Sequence, residues 1–153
     1  MAANGYSWIA NFLSFIPGFR LVDGGELLQL ANLSVSAKSG ITALAGGGQT
    51  IASGNANVCS AYINEVATVA TANDSLILPI GIPGTEVTII NDGAASAQVY
   101  GQPTNATTGV GETIAPHNSV TQAATATGVA LPSGNTGVFS CFSPGKWKQQ
   151  LST

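Results

Sequence analysis

The sequence predicts an all-β body, either a sandwich or a barrel, behind a short helical N-terminal arm, and three observations predict it. From residue 57 onward, turn residues recur about every eight to twelve positions, the spacing of short strands joined by tight connections. Residues 74–100 hold three apolar or β-branched runs, 75–80, 85–91 and 97–100, each bounded by Gly, Pro, Asn or Asp. Residues 6–19, by contrast, gather Tyr6, Trp8, Phe12, Phe15 and Phe19, half of the ten aromatic residues, at a spacing that suits a helix better than a strand.

In chain order, Trp8, Phe12, Phe15 and Ile16 recur at three- and four-residue intervals, and the pattern stops at Pro17-Gly18. A helix this short is marginal by itself and needs packing to persist. The stripe either covers an open face of its own domain or docks into another subunit, because interface cores are rich in Trp, Tyr and Phe. In the docking reading the anchors are Tyr6, Trp8, Ile9, Phe12, Leu13, Phe15, Ile16 and Phe19. A membrane-surface helix is disfavoured, since no Lys or Arg precedes Arg20.

A second helix is expected over residues 25–37, with Asp23 or Gly24 as cap, Glu26 at its start, and Leu27, Leu30, Ala31 and Val35 on one face. The triple glycine Gly46-Gly47-Gly48 reads as a hinge. No Gly-Lys-Ser/Thr follows it, so it is not a phosphate loop. The expected organisation is an arm over 1–45, a joint over 46–56 and a β body over 57–153.

Within the body, strands are expected over 65–71, the three runs named above, 112–115, 119–124, 128–131, 137–142 and 147–151. Ile82-Pro83-Gly84-Thr85 suits a type II turn, with φ preset at Pro83 and a positive φ admissible at Gly84. Ser143-Pro144-Gly145-Lys146 closes the last hairpin. Alternation then sets Phe139 and Cys141 on one face and Val138 and Phe142 on the other. Trp147 is expected to pack, and Lys146 and Lys148 to point into solvent.

Composition narrows the function. The chain has 153 residues, a single-domain length, and only 7% are charged, against about 25% in an average soluble protein. A surface so poor in charge is tolerated best where much of it faces other protein. Four basic residues, Arg20, Lys38, Lys146 and Lys148, form no patch able to neutralise several phosphates, so no nucleic-acid partner is expected. No basic leader and no long apolar run is present, so neither a secretory signal nor a membrane-spanning helix is expected. Cys59 and Cys141 fit no zinc spacing and read as small buried hydrophobes.

Reactive chemistry finds little footing. His117 is the lone histidine and sits in the turn-like Ala115-Pro116-His117-Asn118-Ser119, with no G-x-S-x-G elbow elsewhere. One histidine, two distant cysteines and seven scattered acids offer no clustered metal-ligand set, and no cofactor is expected. Glycoside hydrolysis needs two carboxylates at a defined separation; Asp74 and Asp92 fall in turns, where Asp commonly bonds its own backbone. Three Asn-x-Ser/Thr triplets are expected by chance in so Asn-, Ser- and Thr-rich a chain.

A longer pattern is more informative. The order Asp23-Gly-Gly-Glu-Leu-Leu, Gly40-Ile-Thr-Ala-Leu-Ala-Gly-Gly-Gly-Gln49, Ala67-Thr-Val-Ala-Thr-Ala-Asn-Asp-Ser75, Leu78-Pro79, Pro83-Gly84 and Val87-Thr-Ile-Ile-Asn-Asp-Gly93, then Val99-Tyr100, Thr127-Gly-Val-Ala-Leu131 and Cys141 to Trp147, resembles tailed-bacteriophage virion proteins of the head decoration, cement or head-fibre kind. The resemblance runs over roughly residues 23–151, and the aromatic arm lies outside it. It implies an antiparallel, jelly-roll-like β-sandwich body that oligomerises, most often as a trimer, on the capsid exterior. It also implies a structural role without catalysis, with the major capsid protein as partner. The same module is similar to parts of tail fibres, so a fibre module binding a host receptor or glycan through an exposed aromatic such as Tyr100 is the alternative.

Overall fold

The computed structural model describes residues 19–21, 27–29 and 36–152. The chain divides into two units, Met1–Val35 and Ser36–Thr153. In the first, β1 (Phe19–Leu21) pairs antiparallel with β2 (Leu27–Gln29). The helix expected over residues 25–37 is therefore corrected at 27–29, and again at Ala37, which opens strand β3. Glycines at its start and the Ser34-Val35-Ser36 run near its end are poor helix formers, so the helical spacing of its leucines had too little propensity behind it. The aromatic helix expected within residues 6–16 lies outside the described residues.

The second unit is all-β apart from one 3-10 turn at Ser53–Asn55. Its strands are β3 (Ala37–Thr42), β4 (Ile63–Thr68), β5 (Ser75–Ile77), β6 (Glu86–Asn91), β7 (Ala97–Tyr100), β8 (Thr113–Ala115), β9 (Val129–Leu131), β10 (Thr136–Ser143) and β11 (Lys146–Leu151). Six of them form a sheet in the order β3-β4-β6-β10-β11-β8, and three form a second in the order β5-β7-β9. The sheets are mixed and not antiparallel: β3–β4, β4–β6, β5–β7 and β8–β11 run parallel. Topology supplies the reason. From β4 to β9 the chain alternates between sheets, so β4 and β6, or β5 and β7, are each separated by one strand of the other sheet and return in the same direction.

Most of the expected strands stand within a residue or two. The type II turn is present, with the Thr85 N–H on the Ile82 carbonyl at 3.0 Å and Gly84 at φ 89°. The strand expected over 119–124 is absent. There Ser119 and Gln122 bond the local backbone and β11 through their side chains, which offers those residues an alternative to a ladder.

The body begins at Ser36, ahead of the expected boundary at 57, because β3 belongs to the six-stranded sheet. Within the glycine run expected to act as a joint, Gly47 is packed, while Gly46 and Gly48 have open space beside them. Leu44 exchanges two backbone hydrogen bonds with Ser75, and a Cβ on Gly47 would collide with the Ser75 side chain.

One core is built from both sheets. Val66, Val87, Ile89, Phe139 and Trp147 come from the larger sheet, and Leu76, Val99, Val129 and Leu131 from the smaller. Period-2 burial along β6 and β10 follows from this, since alternate side chains reach the core and the rest face outward. Gly137 keeps the approach close, for a Cβ there would stand 2.9 Å from the Phe139 ring and 3.1 Å from Leu131.

Candidate functional site

Glu112, at the foot of β8, carries the most heavily bonded carboxylate among the described residues, and it is 2% exposed. Its Oε1 accepts from the Gly81 N–H and from Asn105 Nδ2, both at 2.6 Å. Its Oε2 accepts from Trp147 Nε1 at 2.8 Å and from the Gln102 N–H at 3.2 Å. Four donors from three stretches of chain thus converge on one side chain. Gly81 closes the arrangement, because its carbonyl accepts from Asn105 Nδ2 and from the Gly145 N–H, and a Cβ there would lie 2.8 Å from the Trp147 indole nitrogen.

With every lone-pair direction occupied and no room beside it, this carboxylate ties loops together and is not placed to exchange protons with a substrate. The other buried polar side chains behave alike. Asn57, Asn64 and Asn91 each bond the backbone of neighbouring loops through both ends of the amide, and Gln149 spans from the Ala130 carbonyl to the His117 N–H. Among the described residues no buried side-chain nitrogen or oxygen lacks a partner.

The residues singled out for chemistry are dispersed. His117 Nδ1 accepts from the Leu151 N–H at 3.2 Å, which fixes the ring against β11. Asp74 caps its own turn, accepting from the Ala70 and Thr71 N–H groups and the Thr71 hydroxyl. Those Thr71 bonds hold its carboxyl below the usual range. Cys59 and Cys141 are buried free thiols, and burial pushes Cys59 up to about 12, out of nucleophilic range at neutral pH. Among the described residues no three His, Cys, Asp or Glu side chains group as metal ligands. Tyr100, the aromatic on which glycan binding would rest, is half-buried, its ring packed where a Cβ on Gly128 would sit.

The proposed anchors Tyr6, Trp8, Ile9, Phe12, Leu13, Phe15 and Ile16 lie outside the described residues, and Phe19 opens β1. The body itself presents several large apolar side chains. Phe142 on β10 is 60% exposed, and Ile82, in the turn whose Gly84 N–H bonds the neighbouring Cys141 carbonyl, is 61% exposed. Ile80 and Val110 are exposed on loops tied to the same Glu112 and Asn105 network. Alternation along β10 had put Phe142 on the face away from Cys141. Register also slips between Cys141 and Ser143, leaving Phe142 without an opposite residue on β11.

Lys148 shows how burial reassigns a residue expected in solvent. Its ammonium donates to the carbonyls of Pro116, His117 and Ser119, at 2.6, 3.1 and 2.5 Å. Compared with known proteins, the chain matches no family model, no curated protein and no solved structure.

Proposed function

We propose that this chain is a structural, non-enzymatic protein of a tailed-bacteriophage virion that decorates and stabilises the capsid exterior. It binds the major capsid protein through Tyr6, Trp8, Ile9, Phe12, Leu13, Phe15, Ile16 and Phe19. The ordered series of motifs over residues 23–151 carries this reading. The body's economy of polar groups supports it: the buried polar side chains hold loops in place, while large apolar side chains stand outside. That is the distribution of a module that binds protein surfaces, not of a reactive cleft.

In this reading the two sheets are the layers of a sandwich-like body, supported by the single core to which both contribute. Copies assemble as a homo-oligomer, a trimer, made in the host cytoplasm and carried on the virion. Repetition lets each subunit add a contact that is weak singly and strong in sum. Deletion of residues 1–20 tests the attachment. Co-sedimentation with capsids should be lost while circular dichroism of the β body is kept; retained capsid binding overturns the assignment of the arm.

A further inference from the structure

The outer face of the six-stranded sheet carries a polarity that the core does not require. On β10 the outward side chains are Val138, Ser140 and Phe142. On β6, Glu86 stands opposite Ser140, and on β11 Lys146 pairs with Ser143, next to Phe142. Glu86 and Lys146 are both exposed and belong to strands on opposite flanks of β10. An exposed phenyl ring is therefore bordered by one acid on one side and one base on the other.

Of the other charged groups on this face, Glu65 on β4 accepts from the Gly40 N–H at 3.2 Å. Glu86 accepts from the Tyr62 hydroxyl at 2.8 Å and from Ser140 Oγ at 3.4 Å, which leaves acceptor capacity on a carboxylate. Lys148 is committed to its three carbonyls. Lys146 Nζ makes no hydrogen bond within the described residues, so it is the one cation on this face still open to a partner.

We propose that this face, centred on Phe142, is a contact between copies of this chain. The charge arrangement selects a copy over an unrelated partner. A three-fold axis parallel to β10 brings the Lys146 flank of one subunit against the Glu86 flank of the next. The apolar centre is buried and the rim pairs opposite charges, with no like charges opposed. Rigidity assists: the bulge at Phe142 and the type II turn at Ile82 are backbone-bonded to each other through the Gly84 N–H and the Cys141 carbonyl, so little ordering accompanies association. This contact deepens the homo-oligomer of the reading above and does not depend on the virion assignment.

Sedimentation velocity of the full chain over a range of concentrations tests it. Self-association is expected, with Phe142→Ser and Lys146→Glu each raising the dissociation constant tenfold or more. The double variant Lys146→Glu/Glu86→Lys should return it toward that of the unchanged chain. Both single positions are exposed, and unchanged Trp147 fluorescence verifies the fold of each variant. A monomer at all concentrations, an oligomer indifferent to Phe142→Ser, or a double variant as weak as Lys146→Glu overturns the proposal. So does a Phe142→Ser chain that loses capsid binding but keeps its own oligomer, because the face then belongs to a different partner. Loss of capsid binding on removing residues 1–20 is a separate readout, so the two proposals fail separately.

Discussion

Glu112 shows how one side chain can hold a region together. Its four donors are the N–H groups of Gly81 and Gln102, the Asn105 amide and the Trp147 indole, and of these only Asn105 Nδ2 has a second acceptor, the Gly81 carbonyl. Glu112→Gln keeps the shape but turns an NH2 group toward donors. At least one buried N–H is then left unpaired, and a loss of about 2–4 kcal/mol is expected in urea unfolding. Ala126 presents the opposite case. It adopts φ 65° on an exposed turn, a conformation that costs a non-glycine residue about 1 kcal/mol or more. Ala126→Gly should therefore stabilise the protein by roughly 0.5–1 kcal/mol, read as a higher melting temperature, even though glycine ordinarily weakens a chain. No change or a loss would show that the turn carries no such strain.

At the scale of elements, the segment between β8 and β9 is held by side chains and not by a ladder. Lys148, from β11, binds three of its carbonyls, and Gln122 reaches back to the Trp147 carbonyl. Lys148→Met retains the aliphatic stem and removes the donors, so the segment should open. A loss of about 1–3 kcal/mol is expected, together with faster hydrogen exchange confined to the residues around Pro116 to Gln122. Uniform exchange across the body would show that the lysine acts globally instead. The same logic explains why a strand was expected over 119–124: Val120 and Thr121 have β propensity, but no neighbour offers them a complete ladder.

For the whole molecule, stability should fall at both ends of the pH scale, for different residues. Asp74 is lowered by its bonds to Thr71, so its contribution is present above the unfolded carboxylate value of about 3.9 and is lost as pH falls through the lower folded-state value. Cys59 has the reverse sign. Raised by burial to about 12 from 9.0, it favours the folded state fully below the unfolded thiol value and ceases to do so as pH climbs toward 12. Tyr62, raised chiefly by its hydrogen bond to Glu86, adds to the alkaline loss in the same direction. Asp74→Asn should flatten the acid limb of a plot of unfolding free energy against pH, and Cys59→Ala the alkaline limb. A variant whose limb keeps its slope would exclude that group as a cause.

Local chemistry determined the strands and turns that the sequence shows directly. The runs at 75–80, 85–91 and 97–100, the Pro83-Gly84 turn and the final Pro144-Gly145 hairpin depend on backbone preferences and period-2 alternation, which act between near neighbours. The shared face of Phe139 and Cys141 was legible for the same reason, and the packing of Trp147 and the buried free thiols from residue type and spacing. Tertiary structure decided what depends on distant partners. The parallel pairings of β4 with β6 and of β5 with β7 follow from a chain that alternates between sheets, and the helical spacing over 25–37 gave way to pairing at 27–29. Glu112 became a clamp and Lys148 a carbonyl cap because their partners lie up to 35 and 32 residues away, respectively. The outward polarity around Phe142 likewise arises only when β6, β10 and β11 lie side by side. Alternation alone can say which way a side chain points, whereas strand order says what stands beside it.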